Sequence, residues 1–415
     1  MKMPKKPVKI AVVGGGAAGL TAAVAARYNG AEVTVLERMN RVGKKILATG
    51  NGRCNLSNTD LSINHYYGKN PKFAYGALSR FDFYKTMAFF EKLGIAWKVE
   101  SGGKVYPVSN QASSVLDVMR HELEALGVET RCEAGVRDIT RKNGRFILHL
   151  ENGGIFKAER VIIATGGKAA PNLGSNGSGY ALAEKFGHSI VEPFPALVQL
   201  KLAADFLKQI AGIKFDYEAE IMADKKSLAR AAGEILFTNY GISGPPILAL
   251  SRTAGEFLHR GEKVTLKLNI INYMSPDELE AFLLNRLRQQ AHKPLAFSFV
   301  GFIHKRLVPV LLKEAGIEDI NKPAGQLTAG ERGAVLRILQ DWRFQVTGTN
   351  SWPAAQVTAG GVDVKDVDQK TMESKLEPGL YFAGEVLDID GDCGGYNLQW
   401  AWSSGYVAGE SAAVS

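Results

Sequence analysis

The amino-terminal pattern of apolar and polar positions predicts a strand, a helix and a second strand in quick succession. Residues 9–13 form an apolar run typical of a buried strand, residues 20–28 form an alanine-rich helix, and residues 32–37 alternate as a second strand. A glycine-rich segment, residues 14–19, joins the first strand to the helix. This order is typical of the βαβ unit that binds dinucleotides.

The glycines of this segment have separate roles in such a unit. Gly14 permits a tight turn, Gly16 lets the backbone approach a pyrophosphate, and Gly19 lets the helix pack closely on the strand. Glu37 closes the second strand, 18 residues after Gly19, where a carboxylate can accept hydrogen bonds from both ribose hydroxyls. The strand, helix, strand and acid together predict a nucleotide site.

Later segments of the chain favour FAD over NAD as the bound dinucleotide. Short strands between residues 129 and 164, separated by Asn-Gly turns, predict a β-meander that leads into Ala-Thr-Gly-Gly at residues 164–167. A late apolar strand ends in Gly384-Glu385. An NAD-binding unit needs only the first fingerprint, whereas large flavoproteins add these segments. Val136, which opens a meander strand, is predicted to bracket the adenine through its backbone.

The central part of the chain reads as two inserted segments. The sequence predicts an α/β fold: a Rossmann-type FAD-binding domain of the two-dinucleotide flavoprotein kind from residues 1–190 and 342–415, an inserted β-barrel-like domain at 191–273, and a small helical domain at 274–341. Strands near 342–358 could join the β domain. The predicted helices of the small domain are 278–290, 299–314 and 329–340.

The carboxy-terminal segment has a second feature that suits a flavin. Glycines surround Asp392 and Cys393, and residues 396–413 form a predicted helix. The first N–H groups of this helix and its positive dipole end would stabilise the negative charge of reduced flavin near N1 and O2. Gly395 would let the backbone approach the ring.

Composition places the chain among globular proteins of more than one domain. It has 415 residues, of which 46% are hydrophobic and 22% charged, and this excludes wholesale disorder. The net charge is +8, but residues 1–190 carry 27 basic and 15 acidic residues, whereas residues 342–415 carry 4 and 10. A basic excess can attract a polyanion such as RNA, but ordinary solvated charge is the more common reason for it, and some of these residues could contact FAD phosphates instead.

Targeting, redox and metal signals are weak in this sequence. The longest apolar candidate for a membrane span, residues 10–26, is broken by four glycines, and no export signal is evident. The three cysteines lie far apart and the seven histidines form no metal-binding pair, which predicts neither a disulfide framework nor a metal site. We therefore expect a cytoplasmic protein without a membrane partner, of open oligomeric state.

Residues 43–58 read Gly-Lys-Lys-Ile-Leu-Ala-Thr-Gly-Asn-Gly-Arg-Cys-Asn-Leu-Ser-Asn. This segment resembles the signature of the YhiN/BaiN-like flavoproteins, which are also labelled aminoacetone oxidase family FAD-binding enzymes. Residues 237–245 and 390–404 resemble two further motifs of that family, and residues 174–179 add a Gly-Ser-Asn-Gly-Ser-Gly segment. Together these segments span nearly the whole chain in family order.

The resemblance implies a three-domain FAD oxidoreductase. Family members are linked to reduction of conjugated carbon–carbon double bonds, in bile-acid enones in one branch and in a uridine of ribosomal RNA, giving dihydrouridine, in another. Residues 191–350 contain no second GxGxxG fingerprint, so NADH or NADPH, the expected electron donor, would bind only transiently, or electrons would arrive from another source. A flavin amine oxidase that uses oxygen and a flavin-loaded RNA-binding factor without catalysis remain open alternatives.

The candidate site residues fall into two groups. Reduction of a conjugated double bond needs a proton donor, for which the candidates are Cys393, Tyr396 and Asp392. Cys393 is expected to have a lowered thiol pKa at a helix N-terminus, although packing of a small side chain explains its presence equally well. The candidate cofactor-binding residues are Gly14, Gly16, Ala17, Ala18, Gly19, Glu37, Arg38, Lys45, Gly52, Arg53, Cys54, Val136, Ala164, Thr165, Gly166, Gly167, Gly384, Glu385, Gly395, Asn397 and Leu398.

Overall fold

The computed structural model describes residues 6–414, which divide into two compact units. The Rossmann unit comprises the chain up to Pro195 and from Trp352 onward, and the barrel unit comprises Ala196–Ser351. Within the described residues, no helix is both long and apolar enough to cross a bilayer.

The described residues contain both strands and helices. The strands are β1 (Lys9–Val13), β2 (Glu32–Leu36), β3 (Ser57–Asn58), β4 (Tyr66–Tyr67), β5 (Trp97–Val99), β6 (Lys104–Pro107), β7 (Glu129–Arg131), β8 (Val136–Lys142), β9 (Arg145–Leu150), β10 (Ile155–Ala158), β11 (Arg160–Ile163), β12 (Ile190–Ala196), β13 (Leu200–Leu202), β14 (Lys214–Ala223), β15 (Lys226–Phe237), β16 (Gly241–Ser243), β17 (Val264–Asn269), β18 (Trp342–Thr349), β19 (Val357–Val362), β20 (Leu380–Phe382) and β21 (Asp390–Gly391). The helices are α1 (Ala17–Tyr28), α2 (Lys44–Ala48), α3 (Ala74–Arg80), α4 (Phe83–Lys92), α5 (Ala112–Ala125), α6 (Ser178–Glu184), α7 (Leu207–Ile210), α8 (Pro245–His259), α9 (Pro276–Gln289), α10 (Leu295–Ser298), α11 (Val308–Glu314), α12 (Ala329–Gln340) and α13 (Tyr396–Val414).

A five-stranded parallel sheet in the order β20-β11-β1-β2-β7 forms the centre of the Rossmann unit. Strand β1 is buried along nearly its whole length, as a strand in a parallel sheet with both faces covered requires. Helix α13 packs directly on α1, because a Cβ added at Gly405 or Gly409 would lie 2.4 or 2.1 Å from the carbonyl oxygens of Ala18 and Ala22. The last helix is thereby held against the helix that opens the fingerprint.

The predicted meander is shorter than expected. Strands β8, β9 and β10 form an antiparallel three-stranded sheet, whereas the outer two predicted strands, β7 and β11, pair in the parallel sheet instead. Their apolar runs are short, and short apolar runs do not distinguish a meander strand from a parallel edge. The prediction that residues 129–164 are all meander was wrong at both ends.

A closed six-stranded barrel in the order β13-β16-β15-β14-β17-β18 organises the barrel unit. Strand β18 closes it by pairing with both β13 and β17. Helix α8 lies in a region that the sequence indicated to be mainly strand, and its buried face, which includes Ile247 and Leu250, joins the barrel core. The parallel sheet and this barrel confirm the predicted fold class.

The helical segment shares its core with the barrel. Leu279, Leu283 and Leu339 belong to the same buried cluster as the barrel residues Leu266 and Phe344. The helix predicted over 299–314 begins only at Val308, because Gly301 has a φ of 85° and interrupts it. The two units meet at residues 195/196 and 351/352, whereas the sequence predicted boundaries at 190/191 and 341/342. A separate helical domain at 274–341 stays a prediction.

Candidate functional site

The fingerprint glycines lie at the point where β1 meets α1. Gly14 has a φ of 104°, and a Cβ there would lie 2.5 Å from the carbonyl oxygen of Ala164. A Cβ at Gly19 would lie 1.9 Å from the carbonyl oxygen of Gly14. Around Gly16, by contrast, no atom lies within 4 Å of an added Cβ. The first two glycines are therefore required by packing, and Gly16 faces open space.

The start of α1 is arranged to receive an anion. Gly16 is the N-cap residue and provides no side-chain cap, and the first intrahelical bond runs from Leu20 N to Gly16 O at 2.9 Å. The amides of Ala17, Ala18 and Gly19 precede that bond, so they add their N–H groups to the positive end of the helix dipole. A pyrophosphate at this end would meet unpaired donors, as it does in dinucleotide-binding proteins.

Glu37 lies at the end of β2, buried beside the fingerprint. Its Oε2 accepts a hydrogen bond from Gly15 N at 2.7 Å and its Oε1 accepts one from Met39 N at 2.8 Å. These two bonds fix the carboxylate at the edge of the sheet, and each oxygen keeps a further lone pair for a ribose hydroxyl. Glu37 is therefore fixed beside the fingerprint, and its contact with a ribose stays a prediction.

We predict that Glu37→Gln weakens FAD binding by roughly 10-fold or more. An amide has only one acceptor oxygen, so it cannot accept from Gly15 N and Met39 N at once and also receive two ribose hydroxyls. Titration of the apoprotein with FAD measures the effect. Glu32→Gln, at the exposed start of the same strand, is the matched control and should leave the affinity unchanged. An equal loss in both variants would contradict the assigned role.

The two later glycine segments converge on the fingerprint. Ala164 N donates to Val13 O at 2.8 Å, which brings residues 164–167 beside Gly14. Gly384 follows β20, and its added Cβ would lie 2.7 Å from the Cβ of Ala18. The segment 174–179 packs on this site as well, because added Cβ atoms at Gly166 and Gly179 would meet Ser175 and Thr165.

Two further candidate cofactor-binding residues, Val136 and Arg38, lie near the segment that follows β2. Val136 opens β8, and the residues just before it are tied to the end of β2, since Glu133 N donates to Met39 O at 3.0 Å. Arg38 places its Nη1 3.5 Å from the carbonyl oxygen of Gly174. Contact of Val136 with an adenine stays a prediction.

The two cations expected to meet phosphate are paired with carboxylates. Lys45 Nζ lies 2.7 Å from Glu385 Oε2 in a half-buried ion pair that joins the beginning and the end of the chain. Arg53 pairs with Glu100, hydrogen-bonds to Asn110 Oδ1, and stacks on the Tyr106 ring at 4.0 Å. Sequence reasoning missed the carboxylate partner of Arg53, because Glu100 is remote from the motif.

The signature residues 52–58 lie against the carboxy-terminal glycine turn. Asn58 Nδ2 donates to Gly394 O at 3.0 Å, and a Cβ at Gly395 would lie 2.2 Å from Ser57 O. Gly52 is exposed. Cys54 is fully buried, and burial raises the pKa of its thiol to about 12, which suits a packing role.

Helix α13 starts at this turn. Asn397 braces the turn, since its side chain accepts from Gly391 N at 2.8 Å and donates to Gly391 O at 2.7 Å. Leu398 is half-buried against the core. The first intrahelical bond runs from Gln399 N to Gly395 O at 2.9 Å, so the preceding amides point toward the turn.

Cys393 is exposed at the turn yet has a raised thiol pKa. Burial by the surrounding protein raises the pKa most, Lys104 lowers it by a smaller amount, and the nearby Asp392 carboxylate adds a still smaller rise. The expectation of a lowered pKa was therefore wrong, because burial has the largest effect on this thiol and raises its pKa. A raised pKa keeps the thiol protonated at neutral pH, which a proton donor requires.

Tyr396 and Asp392 are held by a residue that sequence reasoning missed, His65. Its ring stacks on Tyr396 with centroids 4.4 Å apart, its Nδ1 lies 2.9 Å from Asp392 Oδ2, and its Nε2 lies 3.1 Å from Asp60 Oδ2. Burial lowers the pKa of His65, but the two carboxylates outweigh it and raise the pKa overall. Tyr67 OH also donates to Asp392 Oδ1 at 3.0 Å, so Asp392 positions its neighbours.

We predict that the stability lost in His65→Gln depends on pH. Because the folded-state pKa of His65 lies above the ordinary value of 6.5, its contribution is complete below that value and disappears as the pH rises through the folded pKa. Urea unfolding of both proteins should show a larger difference near pH 6 than near pH 8.5. A constant difference would contradict the charged pair with Asp392 and Asp60.

The residues of the Rossmann unit fit FAD. Its pyrophosphate and ribose are suited by the open space at Gly16, the amides at the start of α1 and the fixed Glu37 carboxylate. The buried Oδ1 of Asn55, next to Cys54, has no hydrogen-bond partner within residues 6–414, so an acceptor is available to a ligand. No group of three or more His, Cys, Asp or Glu residues that could hold a metal is found among the described residues.

Comparisons with known proteins identify the family to which this chain is similar. A family model described as HI0933-like protein Rossmann domain matches residues 8–411. The chain is 39% identical over 407 residues to the 3-dehydro-bile acid delta(4,6)-reductase of Clostridium scindens, covering 98% of this chain and 99% of that protein. It is 33% identical over 402 residues to the ribosomal RNA dihydrouridine synthase of Escherichia coli, covering 96% of each.

One solved structure supports the fold. The 3-ketosteroid delta1-dehydrogenase from Sterolibacterium denitrificans, in complex with 1,4-androstadiene-3,17-dione, superposes with a TM-score of 0.51 at 12% identity, covering 98% of this chain and 99% of that chain. This similarity concerns architecture alone. Because the family model and both relatives span nearly the whole chain, the protein belongs to the HI0933-like family and carries its Rossmann-type FAD-binding domain.

Proposed function

We propose that this protein is an FAD-dependent reductase that adds two hydrogens across a carbon–carbon double bond conjugated to a carbonyl. The observation that carries the proposal is the position of Cys393, a free cysteine with a raised thiol pKa, beside the glycine turn at the start of α13. The names of the relatives support it, since a bile acid delta(4,6)-reductase and a dihydrouridine synthase both saturate a ring double bond conjugated to a carbonyl.

The reaction divides the work between the cofactor and the protein. Bound reduced flavin supplies a hydride to an electron-poor double bond. The Cys393 Sγ–H donates the proton that completes the reduction at the neighbouring carbon, and solvent then reprotonates the thiolate. The amides at the start of α13 stabilise negative charge that develops at the turn.

Tyr396 and Asp392 support this proton transfer. Burial and the nearby carboxylates of Asp60 and Asp392 raise the pKa of Tyr396 to about 12, so its hydroxyl stays protonated and can donate a hydrogen bond to a substrate carbonyl. His65 fixes both residues, through its stacked ring and its bond to Asp392. We assign Tyr396 as a polarising residue and His65 as a positioning residue.

NADH or NADPH is the proposed electron donor. The sequence offers one GxGxxG fingerprint, so the nicotinamide nucleotide would bind transiently and leave after it reduces the flavin.

We also propose a reducing cytoplasmic location, because all three cysteines are free thiols.

Anaerobic assays of the purified, flavin-loaded protein test the proposal. NADH or NADPH should be consumed only when a conjugated acceptor is added, with a 3-oxo-4,6-diene steroid and unmodified ribosomal RNA as the two probes. In a parallel assay in air, peroxide formed from aminoacetone, together with no reaction with either acceptor under anaerobic conditions, would instead establish an amine oxidase.

A further inference from the structure

The helical part of the barrel unit contains a stretch without acidic residues. Residues 281–313 include six Lys or Arg and two His, but no Asp or Glu. Over residues 274–341 as a whole, basic and acidic residues nearly balance, so this stretch differs from its surroundings. Its local charge is strongly positive.

The cations of this stretch are not neutralised by ion pairs. Within residues 6–414, none of the six forms a salt bridge, although carboxylates pair with many basic residues elsewhere. Arg286 donates instead to the carbonyl oxygens of Ser298 and Val300, at 2.6 and 2.8 Å, and Arg306 donates to those of Gln209 and Ala211. Both arginines are held in place while they keep their full charge.

Exposed aromatic and apolar side chains lie among these cations. Phe297 is 56% exposed and Val300 is 43% exposed, which is unusual for large apolar side chains. Lys293 Nζ lies 5.8 Å from the Phe297 ring centre. The Arg286 guanidinium lies 5.8 Å from the Phe302 ring and, through its carbonyl bonds, beside Val300.

We call the cations and exposed apolar side chains of this stretch the basic face. Val300 forms a bridge with Ile303, and the exposed Lys305 follows two residues later. The basic face comprises Arg286, Lys293, Phe297, Val300 and Lys305.

We infer that the basic face binds RNA. Fixed, unneutralised cations attract the phosphate backbone, and an exposed ring flanked by cations offers an unstacked base a platform. A small steroid enone would need neither feature. The inference rests on the proposed function, in which it selects a uridine of structured RNA as the substrate.

Two variants of the basic face and two matched controls test the inference. Lys293→Gln/Lys305→Gln removes two charges, and Phe297→Ala removes the stacking ring. Lys225→Gln/Lys226→Gln removes two exposed charges from the β14–β15 turn, and Tyr273→Ala removes a ring that is 66% exposed in the same unit. Binding to unmodified ribosomal RNA, transcribed in vitro, is measured with the oxidised holoprotein over a range of salt concentrations.

The double lysine variant should bind roughly 10-fold more weakly at moderate salt, and the slope of log affinity against log salt should fall by about 2. Phe297→Ala should bind roughly 10-fold more weakly with its salt slope unchanged. The two controls should behave as wild type. All variants should keep the wild-type flavin spectrum and melting temperature.

Either of two results overturns the inference: wild-type protein that does not bind the RNA, or basic-face variants that bind it like wild type. The binding assay needs no turnover, so its outcome is independent of the proposed reductase activity. If the face binds RNA but no acceptor reoxidises the flavin, the proposed function fails alone. If the RNA is not bound but a steroid enone is reduced, the inference fails alone.

Discussion

Gly16→Ala should abolish stable FAD binding while leaving the fold intact. The φ of Gly16 is −84°, which alanine adopts without strain, and no atom lies within 4 Å of the added Cβ. The methyl group would instead occupy the space that a pyrophosphate needs in order to reach the amides of α1. We expect the FAD affinity to fall about 100-fold, or about 3 kcal/mol, with an apoprotein melting temperature close to that of wild type.

Gly348→Ala is the matched control for this prediction. Gly348 lies in β18, also without a positive φ and with no atom within 4 Å of an added Cβ, but it belongs to the barrel unit. Flavin titration and thermal unfolding of the two apoproteins provide the comparison. Full FAD affinity in Gly16→Ala would show that the pyrophosphate does not approach this glycine.

Replacement of Cys393 should have the largest effect on turnover with flavin still bound. General acid catalysis by a positioned group contributes about 100-fold or more to a rate, so Cys393→Ala should slow reduction of a conjugated acceptor by about that factor. Since the thiol pKa is raised above its ordinary value, wild-type activity should persist through neutral pH and fall only in alkaline solution, as the thiol ionises. The residual activity of the alanine variant should not show this decrease at alkaline pH.

Cys132→Ala is the matched control, because Cys132 is also a free, exposed cysteine of the Rossmann unit. It should retain full activity and the wild-type pH profile. Rates of flavin reoxidation by the acceptor, measured under anaerobic conditions, separate this step from reduction by NADH or NADPH. Unchanged turnover in Cys393→Ala would remove the thiol from the reaction, and Tyr396 would then be the first alternative.

The nucleotide-binding part of the fold could be predicted because its signals are local. A parallel strand with both faces buried needs a continuous apolar run, and the turn after it needs glycines where Cβ atoms would collide, as at Gly14 and Gly19. The converging segments at 164–167 and 384–385 were recognisable for the same reason, since each follows a buried apolar strand.

Features that depend on distant parts of the chain could not be predicted in this way. Three such features arise where segments that are far apart in sequence meet in the fold. They are the carboxylate partner of Arg53, the stacking of His65 on Tyr396 and the raised pKa of Cys393. Similarly, β7 and β11 joined the parallel sheet because of their neighbours in space, not because of their own short runs. Tertiary packing decided each of these cases.

The most direct test of the proposed reductase activity is the mass of the product of a single anaerobic turnover. Flavin in the purified protein is reduced first, excess reductant is removed, and a 3-oxo-4,6-diene steroid or unmodified ribosomal RNA is added. The proposed mechanism predicts one product molecule heavier by two hydrogens for each flavin oxidised, with dihydrouridine as the product in RNA. Flavin that stays reduced with both acceptors, yet is reoxidised rapidly by oxygen, would contradict it.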